Sequence, residues 1–532
     1  MMHARGTGPA RPCPRNLRGQ ALVLFLTLIG VLCLAVLLLF DSSQVVNKKV
    51  RLTNTADAAA YSVAVQQAKA YNFAAYMNRA QVGNEVAIAQ LVSMWSWLNM
   101  LHTHTRAGLN TFTYLSWIPG MAALANIYRV AEQIVGNARN IYGRAVTLGG
   151  VIPGAEGGLV SILSWLNVGY SGATTAVLQY VGGYDGYNIV NEVIERNDPT
   201  AEMNMAAQFL LLDRLRMAAG HDVGPMRAAL IERHEPPSDA SANDEKMNRF
   251  RNVVMASRDR FTADRGQNVD FGIISGGTYG GTDMIDYERW AGMDTMDVRI
   301  KLPWPFSDLR LPLGWGGAQA VESGTPDFLP GIEQARDGRP GWYSSEHGRD
   351  YAQYGGSGGS TARLADQFPS VNTPWLWGTT NYFTQRKDAY FTDYQGLQPY
   401  FDVKPDVART PEGPDAGPIF TIYIHSERAA ARTSQDIDGI GSAAGGPLHL
   451  EGNMDGNDRI TAVASAQTYF HRPRDRGGLF ARMVPRSWNG SPQTDEQLEM
   501  GSLFSPYWQA RLIDTPMDDY AVIGIDQIVG GP

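Results

Sequence analysis

Two cysteines are all that this 532-residue chain contains, and both, Cys13 and Cys33, lie in its first 40 residues. Residues 41–532 can therefore hold neither a disulfide framework nor a thiolate metal site. A body without cysteine is at home in an oxidising space, but the absence alone does not fix a compartment. Acidic residues are missing from 1–40, which carry Arg5, Arg11, Arg15 and Arg18. The other 492 residues hold 41 basic and 53 acidic groups, a net charge of −12. That sign excludes nucleic-acid binding through a broad basic face. Glycine (57) and proline (29) follow no Gly-X-Y period, which excludes collagen-like and low-complexity chains. What remains, 44% hydrophobic and 18% charged, is enough for a real core in two to four structural units.

Motifs for turnover chemistry are also scarce. There is no G-x-x-x-x-G-K-[ST] and no H-E-x-x-H. The one literal G-x-S-x-G, Gly355–Gly359, follows YAQYG rather than an apolar strand, so it reads as a flexible loop and not a nucleophile elbow. Ser275–Gly281 (SGGTYGG) lacks phosphate-loop spacing and is expected to be another loop. His102 and His104 would diverge on a helix, whereas His425 and Glu427 would share one face of a strand without a third ligand. Asn453–Asp458 misplaces the glycine of a calcium loop and reads as a turn. Nothing singles out a catalytic pair among 53 acids, Asp518-Asp519 included. No catalytic, cofactor-binding or metal-ligating residue is expected, and no cofactor.

The clearest positive signal is Ala21–Phe40, 20 residues with no charge and one hydroxyl, Thr27. At about 1.5 Å per residue a helix of that length spans a bilayer core of about 30 Å. An uncleaved anchor fits better than a cleaved signal, whose core is shorter and ends at small residues rather than FDSSQ. The four arginines favour a cytoplasmic amino terminus and a body on the far side, although Lys48, Lys49 and Arg51 follow closely. No Gly or Pro interrupts Val31–Val82, so one helix is expected to continue well beyond the anchor. Ala56, Ala59, Ala60, Val63 and Ala64 give it a narrow face. That face either connects anchor to body or packs against like helices of neighbouring subunits.

The order Arg18-Gly19-Gln20-Ala21-Leu22-Val23, apolar run, Asp41, then LTNTADAAAYSVA (Leu52–Ala64) resembles the Flp pilus-assembly TadE/TadG-like amino-terminal domain. Asp41, Asn54, Ala56, Asp57, Ala58, Ala59 and Ala60 carry the resemblance. In that family processing can follow the leader glycine, here between Gly19 and Gln20. Members cleaved there usually have Glu at the fifth mature position, where this chain has Leu24, so the likeness leans to TadG-like proteins that keep the leader as an anchor. Longer TadG-like proteins often end in a von Willebrand A-type domain, but no D-x-S-x-S motif occurs here. Tyr71–Gln90, Ala256–Arg265 and Ser502–Leu512 resemble segments of longer TadG-related proteins. The resemblance implies an inner-membrane, single-pass component of a Flp/Tad-type pilus or related secretion apparatus, with its body periplasmic or extracellular. It also implies other apparatus subunits as partners, and homo- or hetero-oligomers through the membrane-proximal helix. A processed minor pilin or adhesin, and an anchored envelope hydrolase without a recognisable motif, stay open as alternatives.

The body divides by pattern. Residues 65–235 read as helical, with stripes at Val82, Val86, Ala89 and Leu91/Val92 and at Met203, Ala206/Ala207, Leu210/Leu211 and Arg214. Trp95, Trp97, Trp117 and Trp165 are expected in its core. Glu245–Phe261 continues as helix. Met296–Leu302, Leu397–Val403, Pro418–Glu427 and Ile460–Phe470 read as strands. Ser505–Leu512 is expected to dock the end of the chain onto the body. The expectation is an α+β fold: leader 1–20, anchor 21–40, juxtamembrane helix 41–100, helical region 101–268, and an antiparallel strand-rich region 269–532.

Overall fold

A computed structural model describes residues 20–147, 158–224, 229–237, 244–301, 309–321, 390–391, 393–404, 417–427, 459–471 and 501–522. Its spine is α1 (Gln20–Tyr114), a single helix of 95 residues. The helix passes Gly30 and Gly83 without a break and stops just short of Pro119. Proline cannot donate the next helical bond, and Gly120 takes φ 90°, the left-handed turn that reverses the chain into α2 (Met121–Val146). Three further helices follow: α3 (Gly158–Tyr180), joined by a π-turn at Val181–Asp185 to α4 (Gly186–Asn197), and α5 (Met205–Ala218). Asn204 caps α5 by accepting the Ala207 amide. The stretch expected as one helix over Glu245–Phe261 is two, α6 (Glu245–Ala256) and α7 (Arg260–Ala263). Asp244 caps the start of α6, and Asp259, accepting the Thr262 amide, begins α7 and imposes the division.

Eleven described strands are β1 (Glu202–Met203), β2 (Ile231–His234), β3 (Gln267–Asp270), β4 (Ile274–Asp286), β5 (Arg289–Ile300), β6 (Leu309–Val321), β7 (Tyr390–Phe391), β8 (Tyr400–Val403), β9 (Ile419–Glu427), β10 (Arg459–Phe470) and β11 (Trp508–Ile513). They form the sheets β1-β9-β10-β11, β2-β8 and β3-β4-β5-β6-β7. Every described pairing is antiparallel except the short contact of β6 with β7. The α+β reading is thus the observed fold, with a helical first half and antiparallel sheets in the second. Ser275–Gly281 is a correction: it lies within β4, not in a loop. Pairing with β5 along its whole length, and with β3 at Ser275–Thr278, satisfies its backbone and outweighs the poor strand preference of glycine. Gly355–Gly359 and Asn453–Asp458 fall outside the described residues.

The two larger sheets pack along α1 one after the other. Leu52, Ala56, Ala59, Ala60, Val63 and Ala64 meet Phe420, Ile422 and Ile424 of β9, Ala462, Ala464 and Ala466 of β10, and the inner faces of α4 and α5. Farther on, Ile88, Ala89, Val92 and Trp95 meet Met284, Trp290, Ala318 and Ala320 of the five-stranded sheet and Phe250 of α6. Between them, Ala68, Tyr71 and Ala74 pack on Trp508, Phe401 and Leu503. The narrow alanine face that the sequence offered to a neighbouring subunit is therefore occupied within the chain, and Ala56, Ala59 and Ala60 are fully buried. Small side chains suit that place because they let helix and sheet backbones approach closely. The tryptophans divide. Trp95 and Trp290 are core, whereas Trp117 is 76% exposed and Trp165 56%.

Candidate functional site

The first stretch of α1 stands apart from the body. Residues 21–40 are almost wholly exposed, and the described residues contain one helix long and apolar enough to cross a membrane. Side chains begin to sink into the body at Lys48, eight residues past Phe40 and about 12 Å farther along the axis. That spacing leaves room for a headgroup layer beside the apolar segment.

Three cations mark where the body takes hold. Lys48 Nζ donates to both carboxylate oxygens of Asp198, at 2.9 and 2.7 Å, and to Thr200 Oγ1. The Asp198 carboxyl is pushed up by burial, but hydrogen bonds from Lys48 and Thr200 outweigh that and hold it below the usual range. Lys49 donates to the Thr461 carbonyl of β10, and Arg51 Nε to the Asn197 carbonyl that ends α4, at 2.8 Å. In sequence these cations read as a weak counterweight to the amino-terminal arginines. In the structure they clamp α1 to the body, and hydropathy could not have shown this because their partners lie more than 140 residues away. Asp198→Ala should cost about 3 kcal/mol by stranding a buried ammonium, while Lys48→Met with Asp198→Leu should recover most of it. Thermal unfolding of the detergent-solubilised chain is the check.

The motif residues take different places around this clamp. Asn54 is exposed and lines an open groove of about 350 Å³ with Asn47, Val50, Arg51, Thr55 and Asn197. Asp57 and Ala58 are half-buried, Ala56, Ala59 and Ala60 are core, and Asp41 is half-buried between clamp and apolar segment. Ala21 and Phe40 bound the exposed stretch; Gln20 begins the helix, and Gly19 lies outside the described residues.

The three segments that looked familiar farther along also meet on α1. Asn72 Nδ2 donates to the Trp508 carbonyl and the Trp508 amide donates back to Asn72 Oδ1, both at 2.9 Å. The Tyr71 and Trp508 rings meet edge to face, 5.0 Å between centroids. Asn78 Nδ2 donates to the Leu503 carbonyl at 2.7 Å and the Phe401 carbonyl at 3.0 Å. Gln90 Nε2 donates to Asp259 at 2.6 Å, Arg258 pairs with Asp283 at 2.6 Å, and Arg265 grips Asp294 through two bonds of 2.6 and 3.0 Å. Ser505–Leu512 thus docks onto the body through Trp508, as expected. Ala256–Arg265 ties the five-stranded sheet to the helix.

Buried polar groups on α1 are what stripe reading missed. Val82 and Val86 are only partly buried, and the inward positions are Gln81, Glu85, Ile88 and Ala89. Glu85 is the centre. Its Oε1 accepts from Asn167 Nδ2 at 2.9 Å, and its Oε2 accepts from Trp290 Nε1 and Tyr394 Oη, both at 2.8 Å. Burial raises its pKa to about 7, against the three donors that lower it. Lone acids inside an apolar pattern were the available signal.

His102 and His104, and likewise His425 and Glu427, are held by separate partners. On α1, His102 Nε2 is 3.5 Å from Glu132, and His104 Nδ1 lies 3.2 Å from the Leu313 carbonyl. His425 stands opposite Glu202 and Thr461, and Glu427 opposite Arg459. Asp519 is buried and bonded to Arg214 and Thr421, both at 2.6 Å, a structural role. Among the described residues no group of three His, Cys, Asp or Glu converges as a metal site.

Residues 19–67 match the family described as "Putative Flp pilus-assembly TadE/G-like". This segment is TadE/TadG-like. The match begins at the leader glycine, takes in the apolar run, the clamp lysines and the asparagine-alanine motif, and ends inside the first core. No curated protein and no solved structure matches the chain. The TadE/G-like segment is thus no detachable module: its second half is the core helix on which β9 and β10 lie.

Proposed function

We propose that the chain is a single-pass, membrane-anchored structural component of a Flp/Tad-type pilus-assembly or secretion apparatus. Its amino terminus is cytoplasmic and its body stands on the far side of the inner membrane. The observation that carries the reading is the continuity of the TadE/G-like segment: one unbroken helix leaves an exposed apolar run and enters the core within a few turns. Force or position is then passed between bilayer and body through a helix, not a slack linker. The clamp supports the same reading, since Lys48, Lys49 and Arg51 fix the body just outside the headgroup layer. The work is mechanical: hold a place in the membrane and present surfaces to other apparatus subunits. No turnover chemistry is assigned.

Fractionation with amino-terminal sequencing is the test. The expected result is a chain with its leader intact, in the inner-membrane fraction and released only by detergent, while a chain lacking residues 1–40 is released as soluble protein. Recovery in sheared filaments with Gln20 as first residue would turn the reading to a processed pilin-like subunit. A soluble chain starting after about residue 40 would sink it.

A further inference from the structure

The outer face of α2 carries a seam that nothing in the chain covers among the described residues. Ile127, Val130, Ile134 and Ile141 are 61, 55, 63 and 69% exposed. They follow the alternating three- and four-residue spacing of a two-helix seam, with Asn137 filling the one polar place between Ile134 and Ile141. Ala123, Ala138 and Ala145 widen the strip and are exposed as well. The opposite face holds α2 to α1: Arg139 Nε donates to Asn99 Oδ1 at 2.7 Å, Tyr142 Oη donates to the Leu91 carbonyl at 2.8 Å, and Tyr128 packs against His104. The strip is therefore fixed in place and, among the described residues, points outward.

We propose that α2 is a self-association surface, through which two copies anchored in one membrane pair in parallel about a two-fold axis along the membrane normal. The proposal rests on the anchored reading for one thing, the shared orientation. Copies standing on the same helix present α2 at the same height and in the same direction, so identical strips meet in register, as an isologous contact requires. The flanks permit it. On one side of the seam stand Asn126, Gln133 and Asn140, on the other Ala131, Ala138 and Ala145, so no like charges face each other along most of its length. Arg144 enters only at the last turn, and Arg129 lies off the seam. Asn137 would meet its own copy amide to amide, which fixes register.

The bilayer of the anchor is not the occupant. The α1 residues that hold α2, Leu91 to Gly108, lie roughly 75–100 Å beyond Phe40 along the axis. The strip offers on the order of 400 Å² of apolar surface, within the range of the largest patch on a typical monomer, which is often functional. It is about half of the ~800 Å² per partner of a stable interface. Pairing by α2 alone is thus weak in solution and gains from confinement to one membrane.

The test uses the full chain with Cys13→Ser and Cys33→Ser, inserted into phospholipid vesicles and checked by flotation. With Ile134→Cys, mild oxidation should give a disulfide dimer in at least tenfold higher yield than with Glu195→Cys, an exposed position on α4. Adding Ile134→Glu to an Ile127→Cys chain should abolish the dimer while leaving the melting temperature unchanged, because Ile134 is already exposed. Monomer from Ile134→Cys in chain that floats, or yields equal to the Glu195→Cys control, would overturn the proposal. So would cross-linking, in native membranes, only to a different protein. A chain that does not float overturns the anchored reading itself, and the pairing with it.

Discussion

Glu85→Ala is expected to destabilise the chain by about 5 kcal/mol, which puts the five-stranded sheet and α3 at risk together. The carboxylate is the common acceptor of three buried donors from three separate parts of the chain: Asn167 on α3, Trp290 on β5, and Tyr394 after β7. Alanine leaves all three without that acceptor. Each stranded buried donor costs about 1–3 kcal/mol. The same site gives stability a pH dependence of unusual sign. Its folded pKa is about 7, against about 4.5 for an ordinary glutamate. Below about 4.5 the group is protonated whether the chain is folded or not, and its contribution is at its best. As the pH rises from there through 7, the unfolded chain gives up the proton more readily than the folded one, and stability falls by about 3 kcal/mol before levelling. Glu85→Gln should flatten that slope, at the cost of turning the Asn167 amide, which is also held by Asn84 at 2.9 Å. Chemical unfolding of the two variants and the parent between pH 5 and 8, followed by tryptophan emission, reads both effects. A parent whose stability is level over that range would refute the assignment of the shift to Glu85.

Much of the architecture is legible in the residues, for reasons that are local. Ala21–Phe40 declares itself because twenty uncharged positions admit few other readings. Pro418–Glu427 shows as a strand because a run of β-formers bounded by polar residues has one comfortable conformation, while in Ile460–Phe470 three alanines dilute that signal; they are β9 and β10, within a residue at the ends. Arg214 at the edge of the α5 stripe is at the edge in fact, paired with Asp519. What stays hidden depends on partners distant in sequence. Ala56, Ala59 and Ala60 announce close packing but not against what, and only the sheet of β9 and β10 shows that the partner is the chain itself. The clamp role of Lys48 needs Asp198, and the burial of Glu85 needs Trp290 and Tyr394. The helix-period argument assumes that the buried face is apolar, and α1 breaks that assumption over Asn78, Gln81, Glu85, Ser93, Ser96 and Asn99, all buried. A helix that must seat on sheet edges and loops meets exposed carbonyls, and its asparagines and serines are there to donate to them.

The same contact explains why Gly316→Val should be severely damaging to the body. Ser96 Oγ donates to the Gly316 carbonyl at 3.4 Å and Asn99 Nδ2 to the Gly317 carbonyl at 3.0 Å, which draws the β6 backbone directly onto α1. A Cβ at position 316 would sit 2.2 Å from the Met100 nitrogen, 2.3 Å from the Ser96 oxygen and 2.8 Å from the Asn99 carbonyl carbon. All three are backbone atoms of a continuous helix, so no rotamer change relieves the clash. Overpacking against movable side chains costs about 1–3 kcal/mol. Here helix and sheet must part, and the seat of Trp290, buried in the core between them, is lost as well. Gly83→Ala is the matched control: it adds the same Cβ to α1 where nothing lies within 4 Å, and should stabilise the helix by about 1 kcal/mol. The expected pair of results is a Gly316→Val chain whose tryptophan emission is already solvent-shifted at 25 °C, beside a Gly83→Ala chain that melts higher than the parent. Equal melting of Gly316→Val and parent would show that β6 does not rest on α1. The five-stranded sheet would then need another seat.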